Sequence, residues 1–242
     1  MPPPEAWYAA RTMQALEVLA FQPLSAPQLA AALQVHPRTA RRLLTRLHDD
    51  GYVTRSDDPR RVYAPTMRIV ALAGQVLERA RMAHRGVAVV ARLREQTGGV
   101  VHLAIPSYRS VLCIVHGNGD RPPSVAIREL MPCHCTAAGK ALLGHRQAWR
   151  DSVLRAPLAA MTARTVTDTS AVRAEADAVR LRGYATEDGE YREGVRGVGA
   201  PVFAPSGEAI AALSVSVRGD AELPPLVEPV VAAAAALSAA VE

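Results

Sequence analysis

The sequence predicts an α+β chain in two parts, and three observations carry that expectation. Residues 25–47 hold two short helical stretches three residues apart, and the second has a fully apolar stripe. Residues 52–63 then alternate about a turn, like a small hairpin. From residue 100 onward, apolar runs with strand-like alternation are separated by Gly, Pro and Ser turns and interrupted by helical stretches.

In the first part, residues 6–20 place Met13, Leu16, Leu19 and Ala20 at helical spacing. Ser25 and Gln28 fit a capping box, and Pro27 suits a first helical turn. Pro37 opens the next helix in the same way. There, Ala40, Leu43, Leu44 and Leu47 follow i, i+3, i+4, i+7 and define one buried face. Arg38, Thr39, Arg41, Arg42, Thr45 and Arg46 are left facing outward. Gly51 is placed to end this helix as a left-handed cap. Residues 52–55 read as a strand, 56–59 as a turn, and 60–63 as the returning strand, carrying Arg60 and Arg61. Two helices, a tight connection and a two-stranded wing make a winged helix-turn-helix. Pro65 closes this unit. Residues 66–82 then read as a helix with Ile69, Leu72, Ala73, Val76 and Leu77 on one side, a linker helix.

The second part starts with a helix over 85–96, stopped by Gly98-Gly99. Runs 100–105 and 111–116 flank a turn at 106–109, and 125–127 offers a third strand. Helical patterns recur at 137–143 and 171–182. Strands 198–203 and 209–217 flank the turn 205–207, and a helix over 226–241 covers the sheet. The pattern is an antiparallel meander with helices, not a series of parallel βαβ units. The expected domains are residues 1–65, a linker helix at 66–83, and an α/β domain at 84–242.

The charge is distributed unevenly. Residues 1–83 hold 11 Arg against 7 acids, whereas residues 84–242 hold 17 basic residues against 16 acids. The positive excess lies where a phosphate backbone would be met. The outer arginines of the second helix can donate to guanine edges or phosphates, and Thr39 and Thr45 can reach thymine methyls or phosphate oxygens. Arg60 and Arg61 sit where a wing would reach phosphate or a narrow minor groove. The same face could instead be a solvated basic surface, with Arg42 the one expected to pair with an acid of its own domain. No apolar stretch is long enough for a membrane span, and the N-terminus lacks the basic start and apolar run of a secretory signal, so a cytoplasmic protein is expected.

Cys133-His134-Cys135 has poor spacing for zinc, whose cysteines are usually separated by two to four residues, and no metal site is expected. On a strand, the two thiols would share one face and His134 would take the other, which also argues against a Cys–His nucleophile. His102, Cys113 and His116 could join these residues only if the fold brings them together. The acidic run Glu187, Asp188, Glu190 and Glu193 reads as a solvated turn before it reads as a carboxylate pair. No phosphate-binding Gly loop is present, and no cofactor is expected.

Several blocks taken together resemble the IclR family of bacterial transcriptional regulators. Pro37, Thr39, Arg42, Leu43, Leu44, Leu47 and Gly51-Tyr52-Val53 match the family's recognition helix and entry to the wing. The segment His134-Cys135-Thr136-Ala137-Ala138-Gly139-Lys140-Ala141-Leu142-Leu143 is similar to the family's His-x-Thr-Ala-x-Gly-Lys-Ala-Leu-Leu block. Residues 182–185, 194–203, 206–207 and 211–216 complete the match. The resemblance implies a GAF-like effector-binding C-terminal domain. It also implies homodimers formed through the N-terminal domains, often assembled as homotetramers, and a small-molecule effector: an organic acid, an amide or an aromatic. Thr136-Ala137-Ala138-Gly139 starts a helix, whose free N–H groups and hydroxyl can hold a carboxylate or carbonyl; effector contacts carried over by the resemblance are Ala137, Ala138, Glu187, Asp188, Val195, Gly197, Ser214 and Ser216. The expected function is a one-component regulator that binds a double-stranded DNA operator under effector control. A constitutive DNA-binding protein without an effector and an enzyme on a GAF-like fold are the two alternatives.

Overall fold

The computed structural model describes residues 4–57, 61–72, 81–119, 122–125 and 130–241. The chain separates into two compact units, Met1–Arg79 and Ala80–Glu242.

The first unit runs α1 (Pro4–Phe21), α2 (Ala26–Leu33), α3 (Pro37–Asp49), β1 (Val53–Arg55), β2 (Tyr63–Pro65) and a helical stretch α4 at 67–72. The turn between α1 and α2 is held by Gln28, whose Oε1 accepts from the Ser25 backbone N–H at 2.9 Å and from its hydroxyl at 2.7 Å. His36 caps α3, its Nδ1 accepting from the Arg38 N–H at 3.2 Å. Ala40, Leu43, Leu44 and Leu47 are at most 2% exposed and pack with Leu19, Leu29, Leu33 and Val53 in one core. Each such leucine contributes about 1.5–3 kcal/mol on burial. Gly51, at φ +75°, turns the chain out of α3 into β1. β1 and β2 pair antiparallel with Val53 opposite Pro65 and Arg55 opposite Tyr63. The returning strand therefore lies later than the expected 60–63. Arg61 has φ +47°, a turn conformation, so the chain becomes extended only at Tyr63, where Leu24 bonds it from the other side. Arg60 and residues 73–80, the middle of the expected linker helix, lie outside the described residues.

The second unit is a three-layer sandwich. Its elements are α5 (Arg81–Thr97), β3 (Val100–Ser107), β4 (Ser110–Gly117), β5 (Ser124–Val125), β6 (Leu130–Pro132), α6 (Ala137–His145), α7 (Gln147–Val153), α8 (Thr169–Arg182), β7 (Ala185–Asp188), β8 (Val195–Phe203), β9 (Ala209–Arg218) and α9 (Pro224–Ala239). The sheet order is β5-β4-β3-β9-β8-β7, every pairing is antiparallel, and β6 adds to β4. Period-two alternation divides the strands between two faces, broken in β4 by a bulge at Ile114. Val101, Leu103, Val198, Ala200, Val202, Ala211, Leu213 and Val215 face α5 and α9. Ala104, Ala185 and Ala212 face the other way, toward the core under α6, α7 and α8.

On that second face α6 is buried along its length from Ala137 to Gly144. Such depth needs small residues. A Cβ at Gly139 would collide with the Cys133 backbone, and one at Gly199 would lie 2.5 Å from the Ala137 carbonyl oxygen. Glycine at these points lets the helix lie directly on β8 and on the turn before it.

Candidate nucleic-acid interface and ligand cavity

The first unit presents α3 outward. Arg38, Arg41, Arg42, Thr45 and Arg46 are exposed and Thr39 is half-buried, as expected from the positions of the leucines. Steps of 100° order the fan around the helix as Arg41, Thr45, Arg38, Arg42, Arg46. At one edge, Arg41 and Thr45 line a cleft with Ser25, Arg55, Arg61 and Tyr63. At the other, Arg42 and Arg46 line a second cleft with Tyr8 of α1. Among the described residues Arg42 has no acid partner. Its guanidinium lies over the Tyr8 ring at 4.4 Å, and its Nε donates to the Tyr8 hydroxyl. A phenol engages the guanidinium through a cation–ring contact and one hydrogen bond without neutralising it. Sequence reasoning misses Arg55 because it stands in a three-residue strand. Its spacing to Arg61 across the wing is the available signal.

The second unit holds a cavity of about 170 Å³ on the α6 side of the sheet. The sheet supplies a polar floor: His116, His102 and Ser214 are cross-strand neighbours in one row, and Ser216 lies beside Gly197 in the next. The His102 and His116 rings are 4.9 Å apart and tilted. Thr136, Ala137 and Ala138 at the start of α6 form the opposite wall. Thr136 caps that helix, accepting from the Gly139 N–H at 3.3 Å and donating to the Pro132 carbonyl at 2.9 Å.

Glu187 closes one end. It is 3% exposed, and its Oε1 accepts from the backbone N–H groups of Glu190 at 3.1 Å and Tyr191 at 3.3 Å. Burial pushes its carboxyl up to about 7, against the opposing pull of these hydrogen bonds and of Lys140. Behind it, Lys140 is 4% exposed and pairs with Glu175 at 2.7 Å and Glu190 at 2.6 Å.

Seven of the ten expected effector residues therefore meet at one cavity: Thr136, Ala137, Ala138, Glu187, Val195, Ser214 and Ser216. Three do not line it. Gly139 faces the Cys133 backbone. Asp188, on the opposite face of β7 from Glu187, pairs at 3.1 Å with both Arg164 and Arg196. Gly197 lies beneath α6, where its missing side chain leaves room beside Ala137 and Ser216. His102, His116, Asn118, Tyr191, Arg192 and Arg218 also line the cavity. The signal for the two histidines is polar residues at matched positions of two otherwise apolar strands.

Cys133 and Cys135 are not on a strand. β6 ends at Pro132, and residues 133–136 form a turn into α6. Cys133 Sγ donates to the Arg109 carbonyl at 3.1 Å, and His134 Nε2 is 3.0 Å from the Ala159 carbonyl oxygen. Burial pushes both thiols up to about 12. Among the described residues no group of three His, Cys, Asp or Glu side chains converges as a metal site.

Comparison with known proteins agrees with this geometry. The family model for the bacterial transcriptional regulator IclR C-terminal domain matches residues 74–239, and a MarR family model matches residues 10–61. The chain belongs to the IclR family. Among IclR-type relatives, the probable transcriptional regulator SauR of Cupriavidus necator is 30% identical over 86% of this chain and 85% of its own. The regulator BhcR of Paracoccus denitrificans is 28% identical over 94% and 85%. A putative IclR transcriptional regulator from Silicibacter sp. superposes with TM-score 0.78 at 24% identity, covering 97% of this chain and 96% of that one. An IclR homologue complexed with 4-hydroxybenzoate, from Microbacterium hydrocarbonoxydans, gives 0.66 at 23% identity, covering 97% and 98%. The two structures share the fold across both units. As an IclR family member, this chain is a DNA-binding transcriptional regulator with a C-terminal effector domain.

Proposed function

We propose that the winged unit binds a double-stranded operator through Arg38, Thr39, Arg41, Arg42, Thr45, Arg46, Arg60 and Arg61. We infer that the cavity of the second unit takes the effector, with domains divided near 65 and 84. The observation that carries this reading is the cavity itself. It gathers serines, imidazoles and a buried carboxyl beneath a helix start, on a fold shared with a homologue that holds 4-hydroxybenzoate. Its volume is small against the roughly 300–1,000 Å³ of drug-sized pockets. A compact organic acid, amide or aromatic fits that size. The protein acts as a homodimer, which can pair further into a tetramer, and works in the cytoplasm. Exposed Met13 and Phe21 on α1 and Met67, Val70 and Leu72 on α4 give the first unit an apolar surface that supports pairing. No helix among the described residues is long and apolar enough to cross a membrane.

An enzymatic role is disfavoured. A nucleophilic cysteine needs a depressed pKa, and Cys135 is fully buried with its thiol pushed the other way. The test is a thermal-shift screen of the full chain against 4-hydroxybenzoate, benzoate and benzamide. A ligand that raises the melting temperature and shifts operator affinity supports the effector reading. A flat screen across small acids, amides and aromatics, with operator binding intact, would favour the constitutive alternative.

Glu187 gives this site a pH signature. A carboxylate ligand is repelled by ionised Glu187 and tolerated by its neutral form, so binding takes up a proton. With the carboxyl near 7, benzoate affinity falls about tenfold from pH 6 to pH 8. Glu190 and Lys140 face Glu187 from behind, and the His102 and His116 rings line the same cavity. Calorimetric titrations at pH 6, 7 and 8 check this, and Glu187→Gln flattens the profile. A Glu187→Gln profile as steep as the wild type would assign the effect elsewhere.

A further inference from the structure

Arg42 differs from the other arginines of α3 in having its orientation set by a residue of another helix. Its guanidinium carbon is 4.4 Å from the centre of the Tyr8 ring, and the Tyr8 hydroxyl accepts from its Nε. The hydroxyl bond at Nε and the ring contact at the same end of the phenol together restrict how the guanidinium can turn. The two Nη groups then form the outward end of the fork, the arrangement that grips two oxygens of one phosphate. The place is also right. Arg42 and Arg46 stand at the α1 edge of the fan, and Arg41 stands at the wing edge with Arg55 and Arg61. A helix about 10–12 Å across nearly fills a major groove about 12 Å wide. Its edges meet the two phosphate backbones, and its centre, Arg38 and Thr45, meets the bases.

We propose that Tyr8 is a positioning residue that holds Arg42 as a fixed phosphate contact, so that Arg42 supplies affinity without sequence discrimination. This rests on the operator-binding reading above. A base-reading arginine must adapt to a particular base edge. One held from behind by a phenol instead meets the feature every sequence shares.

The experiment uses the full chain, a duplex enriched by that chain from a random-sequence pool, and an unselected duplex of equal length. Affinity is measured from 50 to 200 mM salt. Arg42→Ala is expected to weaken both duplexes alike, about tenfold, and to lower the salt slope by about one. Tyr8→Leu is expected to weaken both duplexes severalfold, Tyr8→Phe by less, and neither to add to Arg42→Ala. Tyr8→Phe keeps the ring and its packing, so it remains a test if Tyr8→Leu melts early. A selective loss on the enriched duplex in Arg42→Ala, with the salt slope unchanged, would make Arg42 a base contact and overturn the proposal. Fully additive Tyr8 and Arg42 effects would overturn it as well. Failure of the operator reading looks different: the wild-type chain then enriches no duplex and binds neither.

Discussion

Replacing Arg41 and Arg46 together by alanine is expected to abolish operator binding while leaving the winged unit folded. The two side chains stand at opposite edges of α3, each lining a cleft that opens outward. Removing either guanidinium costs about 1–3 kcal/mol of binding, so the pair weakens binding by roughly 10²–10⁴-fold. Two fewer neutralised phosphates also lower the salt slope by about two. Neither residue belongs to the core, which is made by Leu43, Leu44 and Leu47 from the opposite face. The melting curve is therefore unchanged. Gel shifts across a salt series with matched melting curves check both halves. Near wild-type affinity in a folded double variant would remove α3 from the DNA interface.

The second large effect concerns Lys140. Its ammonium is buried among carboxylates: Glu175 at 2.7 Å, Glu190 at 2.6 Å, and Glu187 beyond. Lys140→Ala strands Glu190, which is 12% exposed and already raised by burial. Breaking one side of such a pair costs about 3–5 kcal/mol. In a unit of this size that is roughly a 10 °C fall in melting temperature. The sign of the pH dependence follows. Carboxyls whose folded pKa is raised above the unfolded value favour the folded state at low pH and lose that advantage as pH rises. Without Lys140 both Glu187 and Glu190 rise further, so the deficit grows between pH 5 and pH 8. Adding Glu190→Gln to Lys140→Ala recovers part of the loss. Equal melting of wild type and Lys140→Ala at pH 8 would contradict the assignment.

The winged unit is legible in the sequence because each of its parts is locally encoded. Ser25 with Gln28, Pro27, Pro37 and Gly51 are punctuation that acts over a few residues, and the leucine stripe of α3 separates inside from outside unaided. What escapes a local reading there is tertiary: the Tyr8 ring that holds Arg42 comes from another helix, 34 residues earlier in the chain. In the second unit, alternation locates most strands but not their neighbours. The cavity exists because β9 lies between β3 and β8, strands far apart in the chain, setting His102 beside Ser214 and Gly199 beside both Ser214 and Ala137. Resemblance supplies Ser214 and Glu187. The histidines meet across the β3–β4 hairpin, and only the sheet order sets Ser214 beside them. Cys133–Cys135 do not take the strand geometry weighed for them, because β6 stops at Pro132 and Thr136 caps a helix. The chain must turn in the residues between.

The proposed regulation couples a ligand in the sheet cavity to α3 on DNA. The most direct measurement is operator affinity with and without a saturating effector found by the thermal-shift screen, in wild type and in Ser216→Leu, which fills the cavity floor. Wild type is expected to shift by at least about fivefold. Ser216→Leu is expected to bind the operator normally and not to respond. Identical operator affinity with the cavity empty and with it demonstrably filled would contradict the coupling.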